Sequence, residues 1–256
     1  MSKRKRFLLT SFFLSIGFVV IQYLEEKYRF YSIATLAILS LVLFTWALKE
    51  SLRLNSSLLT LILPLYFTSA VGFFWFLLPR SIFTQVPIII FYGFGIYALC
   101  LTANIFTVAA IRTIALLRAA KGVGFVITLV TSFLIFDTIL SLRVNIFLTV
   151  GLIFLFSVPL FLQGFWVVNL ENVFSKDNIA LTLISGLVMG ELAISIYFWP
   201  VTVVVGSLFL TVTAYVLLGL GQARLEERLF VQTVREYLLL GALVFLGMFL
   251  ATSWGG

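Results

Sequence analysis

Nine apolar runs, each long enough to cross a bilayer, divide this chain from one end to the other. They occupy approximately residues 7–24, 30–48, 57–78, 86–108, 122–142, 146–168, 179–198, 201–220 and 237–254. A spanning helix needs about 20 predominantly apolar residues, because each residue advances it by only about 1.5 Å. Lipid offers the backbone no hydrogen-bond partners, and a helix satisfies its own. The runs therefore predict an all-α, polytopic transmembrane helix bundle of about nine spans. The connections are short, so 1–256 reads as a single integral membrane domain with no soluble domain. The tightest hairpins are Arg143-Val144-Asn145 and Trp199-Pro200. Eight spans result if one of these is re-entrant.

Composition supports the same reading. Of 256 residues, 62% are hydrophobic and 11% charged. A soluble domain carries about 45–50% and about 25%. A water-soluble fold of this size could not bury so much Phe, Leu and Ile.

The charged residues orient the spans. With the N-terminus placed in the cytoplasm, 13 Lys and Arg fall on cytoplasmic connections and 4 on the opposite side (Lys27, Arg29, Arg80 and Arg143). That asymmetry predicts N-in and C-out. Lys3-Arg4-Lys5-Arg6 then anchors an uncleaved first span, since no small-residue cleavage site follows Phe7 to Leu24. The same placement explains the net charge of +7 without a nucleic-acid partner, because the cations sit at helix ends rather than on one polar face. Membrane lipids are the expected partners. A second copy or another membrane subunit is the other partner the reading admits.

Two absences narrow the chemistry. The chain has no histidine and one cysteine, Cys100. A His-based catalytic triad, His-ligated haem, His-containing metal sites and an intrachain disulfide are excluded. No metal site or cofactor is expected, and no glycine-rich phosphate loop is present.

The candidates are the polar residues inside the runs. Glu191 lies about 12 residues into the seventh run, in Gly186-Leu187-Val188-Met189-Gly190-Glu191. At about 18 Å along a helix it stands slightly past the midplane. A carboxylate there must face protein or water, pair with a cation, or carry a proton. It serves either a proton or cation site or a hydrogen bond between helices. Gly186 and Gly190 form a GxxxG, a spacing that admits close helix packing. Asp137 lies in the outer half of the fifth run, with Arg143 beyond it as a local partner. If Asp137 faced Glu191 instead, the pair would form an outer-half polar cluster. Asn104 and Gln163 fall near the cytoplasmic ends of their spans, where amides bond across helices. Pro64 and Pro159 interrupt runs three and six and predict kinks. Two cytoplasmic segments, Ile111 to Lys121 and Gly221 to Glu236, read as amphipathic or as helix ends with snorkelling Arg.

The last 70 or so residues carry Glu191-Leu192, Trp199-Pro200, Tyr215-Val216-Leu217-Leu218-Gly219-Leu220, Arg235-Glu236-Tyr237-Leu238 and a closing apolar helix to Trp254. In these features the chain resembles a group of bacterial polytopic membrane proteins of unknown function. The resemblance implies a multi-pass protein of the bacterial cytoplasmic membrane and assigns no site residue.

Three functions follow as expectations. The first is a small transporter or channel-like protein using Glu191. The second is a structural or assembly protein that binds lipids or partner subunits. The third, an intramembrane enzyme, is disfavoured by the lack of histidine and of a paired-aspartate signature.

Overall fold

The computed structural model describes residues 2–24, 26–49, 54–79, 81–109, 115–170 and 175–252. These residues form nine α-helices and no strand: α1 Lys3–Gln22, α2 Glu26–Leu48, α3 Leu54–Trp75, α4 Ile82–Ala109, α5 Leu117–Ser141, α6 Ile146–Asn169, α7 Lys176–Phe198, α8 Val203–Leu225 and α9 Val231–Leu250. Eight are long and apolar enough to cross a membrane, and the apolar part of α3, Leu59–Trp75, is shorter. The helical multi-pass bundle is therefore as the runs predict. Both tight hairpins separate complete helices.

Local chemistry explains where the chain turns. Asn145 Oδ1 accepts the Leu148 N–H at 2.9 Å and caps α6. Ser175 and Thr202 cap α7 and α8 in the same way. Each side-chain oxygen satisfies an amide that the first helical turn leaves without a partner. Pro200 supplies no N–H in the turn between α7 and α8. Pro64 and Pro159 lie inside α3 and α6, and Pro87 lies inside α4.

Most helices begin a few residues before their apolar runs, and two of these shifts change the reading. α4 begins at Ile82, so Pro87 falls within a helix rather than at its start. α9 begins at Val231, so the segment Gly221 to Glu236 is not one amphipathic element. It is the last turn of α8, a loop, and the first turn and a half of α9. Of the other expected amphipathic segment, Ile111–Ile114 lies outside the described residues, as do Arg53, Arg80 and Trp254.

The chain divides into two compact units, and the division falls within α5. The first holds residues 1–131 and 170–172. In it α1 packs on α2 and α4, and α3 closes the set against the same two helices. Its centre is aromatic. Phe18 stacks on Tyr92 at 4.9 Å and meets the edge of Trp75 at 5.6 Å. Phe67 also stacks with Tyr92, at 6.0 Å. The Tyr92 hydroxyl donates to Thr68 Oγ1 at 3.2 Å, so the ring is buried without stranding its polar tip. Arg6 is also buried, at 4% exposure, while Lys3, Arg4 and Lys5 are exposed. It belongs to the core of this unit and not to the interfacial cluster in which its position placed it.

The second unit holds residues 132–169 and 173–256. Here α6 packs on α7 and α8, α7 also packs on α8, and α9 leans on α8. Small residues set these seams. A Cβ on Gly186 would stand 2.7 Å from Val158 of α6, and one on Gly190 would stand 3.6 Å from Val150. The phenyl ring of Phe165 lies against Gly221, and the Tyr237 ring lies against Gly219. At Gly186, Gly219 and Gly221 a side chain would displace the neighbour, whereas the contact at Gly190 is an ordinary one.

Candidate functional site

The functional features of the second unit gather where α5, α6, α7 and α8 turn. α5 ends at Ser141, and Arg143 turns the chain with a left-handed backbone (φ 47°). Glycine is the usual residue there, and a bulky side chain adopts that conformation at a cost. Across from it, Trp199 caps α7 through its backbone amide to Ile196 O. Its indole Nε1 donates to Thr252 Oγ1 at 2.7 Å, and Thr252 in turn donates to Met248 O at 2.8 Å. The rings of Phe245 and Phe249 meet the indole edge-on at 5.9 and 6.3 Å. The end of α9 is thereby tied to the turn between α7 and α8.

Between these turns lies a cavity of about 560 Å³. Leu140, Arg143, Thr149, Tyr197, Trp199 and Thr202 are among its lining residues. Arg143 is the one charged side chain in that lining. It is exposed, and it brings five N–H donors in a rigid fork that suits a carboxylate or phosphate. The first turns of α6 and α8 open on the same space, with Thr149 and Thr202 as hydroxyls, while α5 and α7 end there. The helix dipoles therefore largely offset one another, and the full charge of Arg143 sets the sign of the site.

Asp137 sits one turn before Leu140 on α5 and is buried, at 5% exposure. Ser207 Oγ donates to its Oδ1 at 3.1 Å and also to Val204 O at 3.0 Å. The local partner of Asp137 is thus Ser207 on α8, not Arg143. The geometry explains this. Arg143 lies beyond the helix end and lines the cavity, while Asp137 faces the α5–α8 contact that also brings Leu140 within 3.3 Å of a Cβ on Gly206.

Glu191 is not part of this site. It is exposed, on a stripe of α7 with Leu187 and Ile194, while Gly190 and Ala193 beside it are buried. Asp137 and Glu191 have different surroundings and do not form the outer-half cluster.

The remaining candidates lie elsewhere. Gln163 is buried at 3% exposure, and its Oε1 has no hydrogen-bond partner. Antiparallel packing of α6 on α7 places Phe154 beside Gly186 and Val150 beside Gly190, so Gln163 falls level with Asn178. Asn178 is 2% exposed, and its Oδ1 is also without a partner. Gln222 stands at that end of α8 and donates Nε2 to Gly164 O at 2.9 Å. Asn178 escaped the sequence reading because it precedes the apolar run by one residue. Asn104 belongs to the first unit, where its Oδ1 is buried without a partner. A second, smaller cavity of about 350 Å³ lies by the α8–α9 turn, between Gln222, Glu226, Arg228 and Tyr237. Among the described residues no group of three or more Cys, Asp or Glu side chains is placed to hold a metal ion.

Fold and site together define an all-helical, multi-pass integral membrane protein. The chain belongs to the family described as "Protein of unknown function (DUF5656)", which matches residues 7–251. The match covers nearly the whole chain and extends far beyond the C-terminal 70 residues that carry the resemblance. No curated protein and no solved structure matches the chain.

Proposed function

We propose that this protein binds an acidic amphiphile of the membrane, holding its headgroup in the cavity between the α5–α6 and α7–α8 turns. On this reading it is a lipid-binding membrane protein of the bacterial cytoplasmic membrane, and it carries no catalysis of its own. The observation that carries the proposal is the lining of that cavity: one exposed cation, Arg143, set among Tyr197, Trp199 and two threonine hydroxyls, with no carboxylate. Arginine pairs with phosphate through two parallel hydrogen bonds, and Trp and Tyr favour the headgroup level of a bilayer. An acidic headgroup fits both, while its acyl chains remain along the apolar helices.

Native mass spectrometry of the protein with phosphatidylglycerol and with phosphatidylcholine tests the reading. Phosphatidylglycerol is expected to bind in preference, and Arg143→Ala is expected to weaken it about tenfold, the loss of one charge-assisted contact. An undiminished preference for phosphatidylglycerol in Arg143→Ala would remove the basis for the site.

Transport coupled to Glu191 is the second reading, and the intramembrane carboxylate is its one support. Uptake by proteoliposomes that depends on pH, and that Glu191→Gln abolishes, is the result it requires. The position of Glu191 on an exposed helix face, away from both cavities, favours the lipid-binding reading.

A further inference from the structure

The placement of Glu191 carries a separate conclusion. α7 has 23 residues, Lys176–Phe198, with Leu187 at its middle. Glu191 therefore lies about 6 Å beyond the midpoint and about 10 Å short of Phe198. Side chains on a helix lean toward its N-terminus. The carboxyl is thus carried away from the nearer helix end and toward the middle of the bilayer, so it cannot reach headgroups by extending. Among the described residues no side-chain group bonds it. A carboxyl exposed to hydrocarbon at that depth is costly, and burial against protein relieves the cost.

The residues around it specify the kind of protein surface. Ala180, Ile184, Leu187, Glu191, Ile194 and Phe198 are all exposed. Their spacings are four, three, four, three and four, the alternation of a left-handed helix pair. Exposed apolar residues at that spacing suit lipid equally well. A single polar residue in the middle does not, and in paired helices one polar core residue fixes register and partner number.

We infer that this face of α7 is the contact between two copies of the chain, paired about a two-fold axis along the membrane normal. Membrane insertion gives both copies the same orientation, so such an axis sets α7 parallel to α7 and Glu191 opposite its own equivalent. A protonated carboxyl both donates and accepts, so the two satisfy one another. One further feature fits this arrangement. Extending the spacing by three residues reaches Asp177, with Lys176 beside it, both exposed at the helix start. In a parallel pair Lys176 flanks Asp177 of the second copy, and the symmetry makes two such contacts. The face is therefore self-complementary in charge as well as in shape.

Disulfide trapping in isolated membranes tests the contact. The natural Cys100 is buried and serves as the background. Leu187→Cys and Ile194→Cys should each yield a disulfide-linked dimer on mild oxidation. Leu243→Cys, on α9 and more exposed than either, should not. In purified protein, Glu191→Leu should lower dimer affinity about tenfold, as loss of a polar contact between membrane helices predicts. Glu191→Gln should retain the dimer, because an amide still donates and accepts. Matching helix content and a single elution peak show that each variant folds. Failure of both α7 cysteines to cross-link, cross-linking to a different protein only, equal cross-linking from Leu243→Cys, or an undiminished dimer in Glu191→Leu would each overturn the contact.

Discussion

The two units of this protein differ in what fills their centres. In the first, rings dominate. Tyr92 stacks with Phe18 and with Phe67, and its hydroxyl bonds Thr68, while Ser11 Oγ of α1 donates to the Gly93 carbonyl of α4 at 2.6 Å. In the second, glycines bring helices together, and the polar groups occupy the seams and turns between them: Asp137 with Ser207, Gln222 with the Gly164 carbonyl, and Gln163 level with Asn178. Aromatic packing fills volume and leaves little room for a ligand. Glycine packing lets short segments of backbone and small hydroxyls face one another, which is how a site is assembled from helices. The cavity at Arg143 and the exposed Glu191 both belong to the second unit.

The largest expected effect breaks the first unit alone. Phe67→Ala removes one face of the Tyr92 stack and leaves a cavity beside Gly95, against which the ring lies. The expected loss is about 3–5 kcal/mol, the range for emptying a ring-sized site. Thermal unfolding in detergent measures it, and hydrogen exchange should rise in α1 to α4. The corresponding change in the second unit is an addition. Gly221→Leu pushes against the Phe165 ring, and overpacking of this kind costs about 1–3 kcal/mol. If Gly221→Leu proves harmless, α6 and α8 are not held at the distance that the glycines set, and the contrast between the units fails.

Much of the architecture was legible in the apolar runs, because in lipid the length of an uninterrupted run and the chemistry of its ends decide where a helix begins. The two tight hairpins were readable as breaks in apolar stretches too long for one crossing, at Trp199-Pro200 and at Arg143-Val144-Asn145. The facing of most helices was not readable. α7 is apolar nearly all round, and only the spacing of Gly186 and Gly190 marks the side that packs on α6. The residue after Gly190 can fall at the edge of that side or outside it, so Glu191 could be placed in depth but not in direction. The partner of Asp137 was out of reach for another reason. Ser207 is 70 residues away, and a serine in an apolar helix bonds its own backbone as readily as a neighbour. The cavity depended on two turns meeting in space, and no local pattern records that.

The smaller effects sharpen what the second unit's polar groups are for. Asp137→Ala leaves Ser207 with the Val204 carbonyl, its other acceptor. The hydroxyl is then still satisfied, and the loss should be only about 1 kcal/mol. A far larger drop in melting temperature would mean that Asp137 has a second partner and anchors the unit. Asp137→Asn keeps an acceptor for Ser207 and should be closer still to the parent.

Trp199→Phe should be the mildest change. The ring edge contacts to Phe245 and Phe249 can persist, and what disappears is the hydrogen bond from Nε1 to Thr252. Thr252 keeps its bond to the Met248 carbonyl, so no buried hydroxyl is stranded. Hydrogen bonds between membrane helices contribute about 0.6 kcal/mol on average, and global stability should move by no more than that. The effect should concentrate instead at one place. α9 packs on α8 and buries little of its surface, with Met248 its one buried residue. The indole bond pins its last turn, so amide exchange should quicken at the end of α9 and stay unchanged in α6 and α7. Uniformly faster exchange across the second unit would show that Trp199 secures the whole turn region, and the cavity beside it would then depend on α9 for its shape.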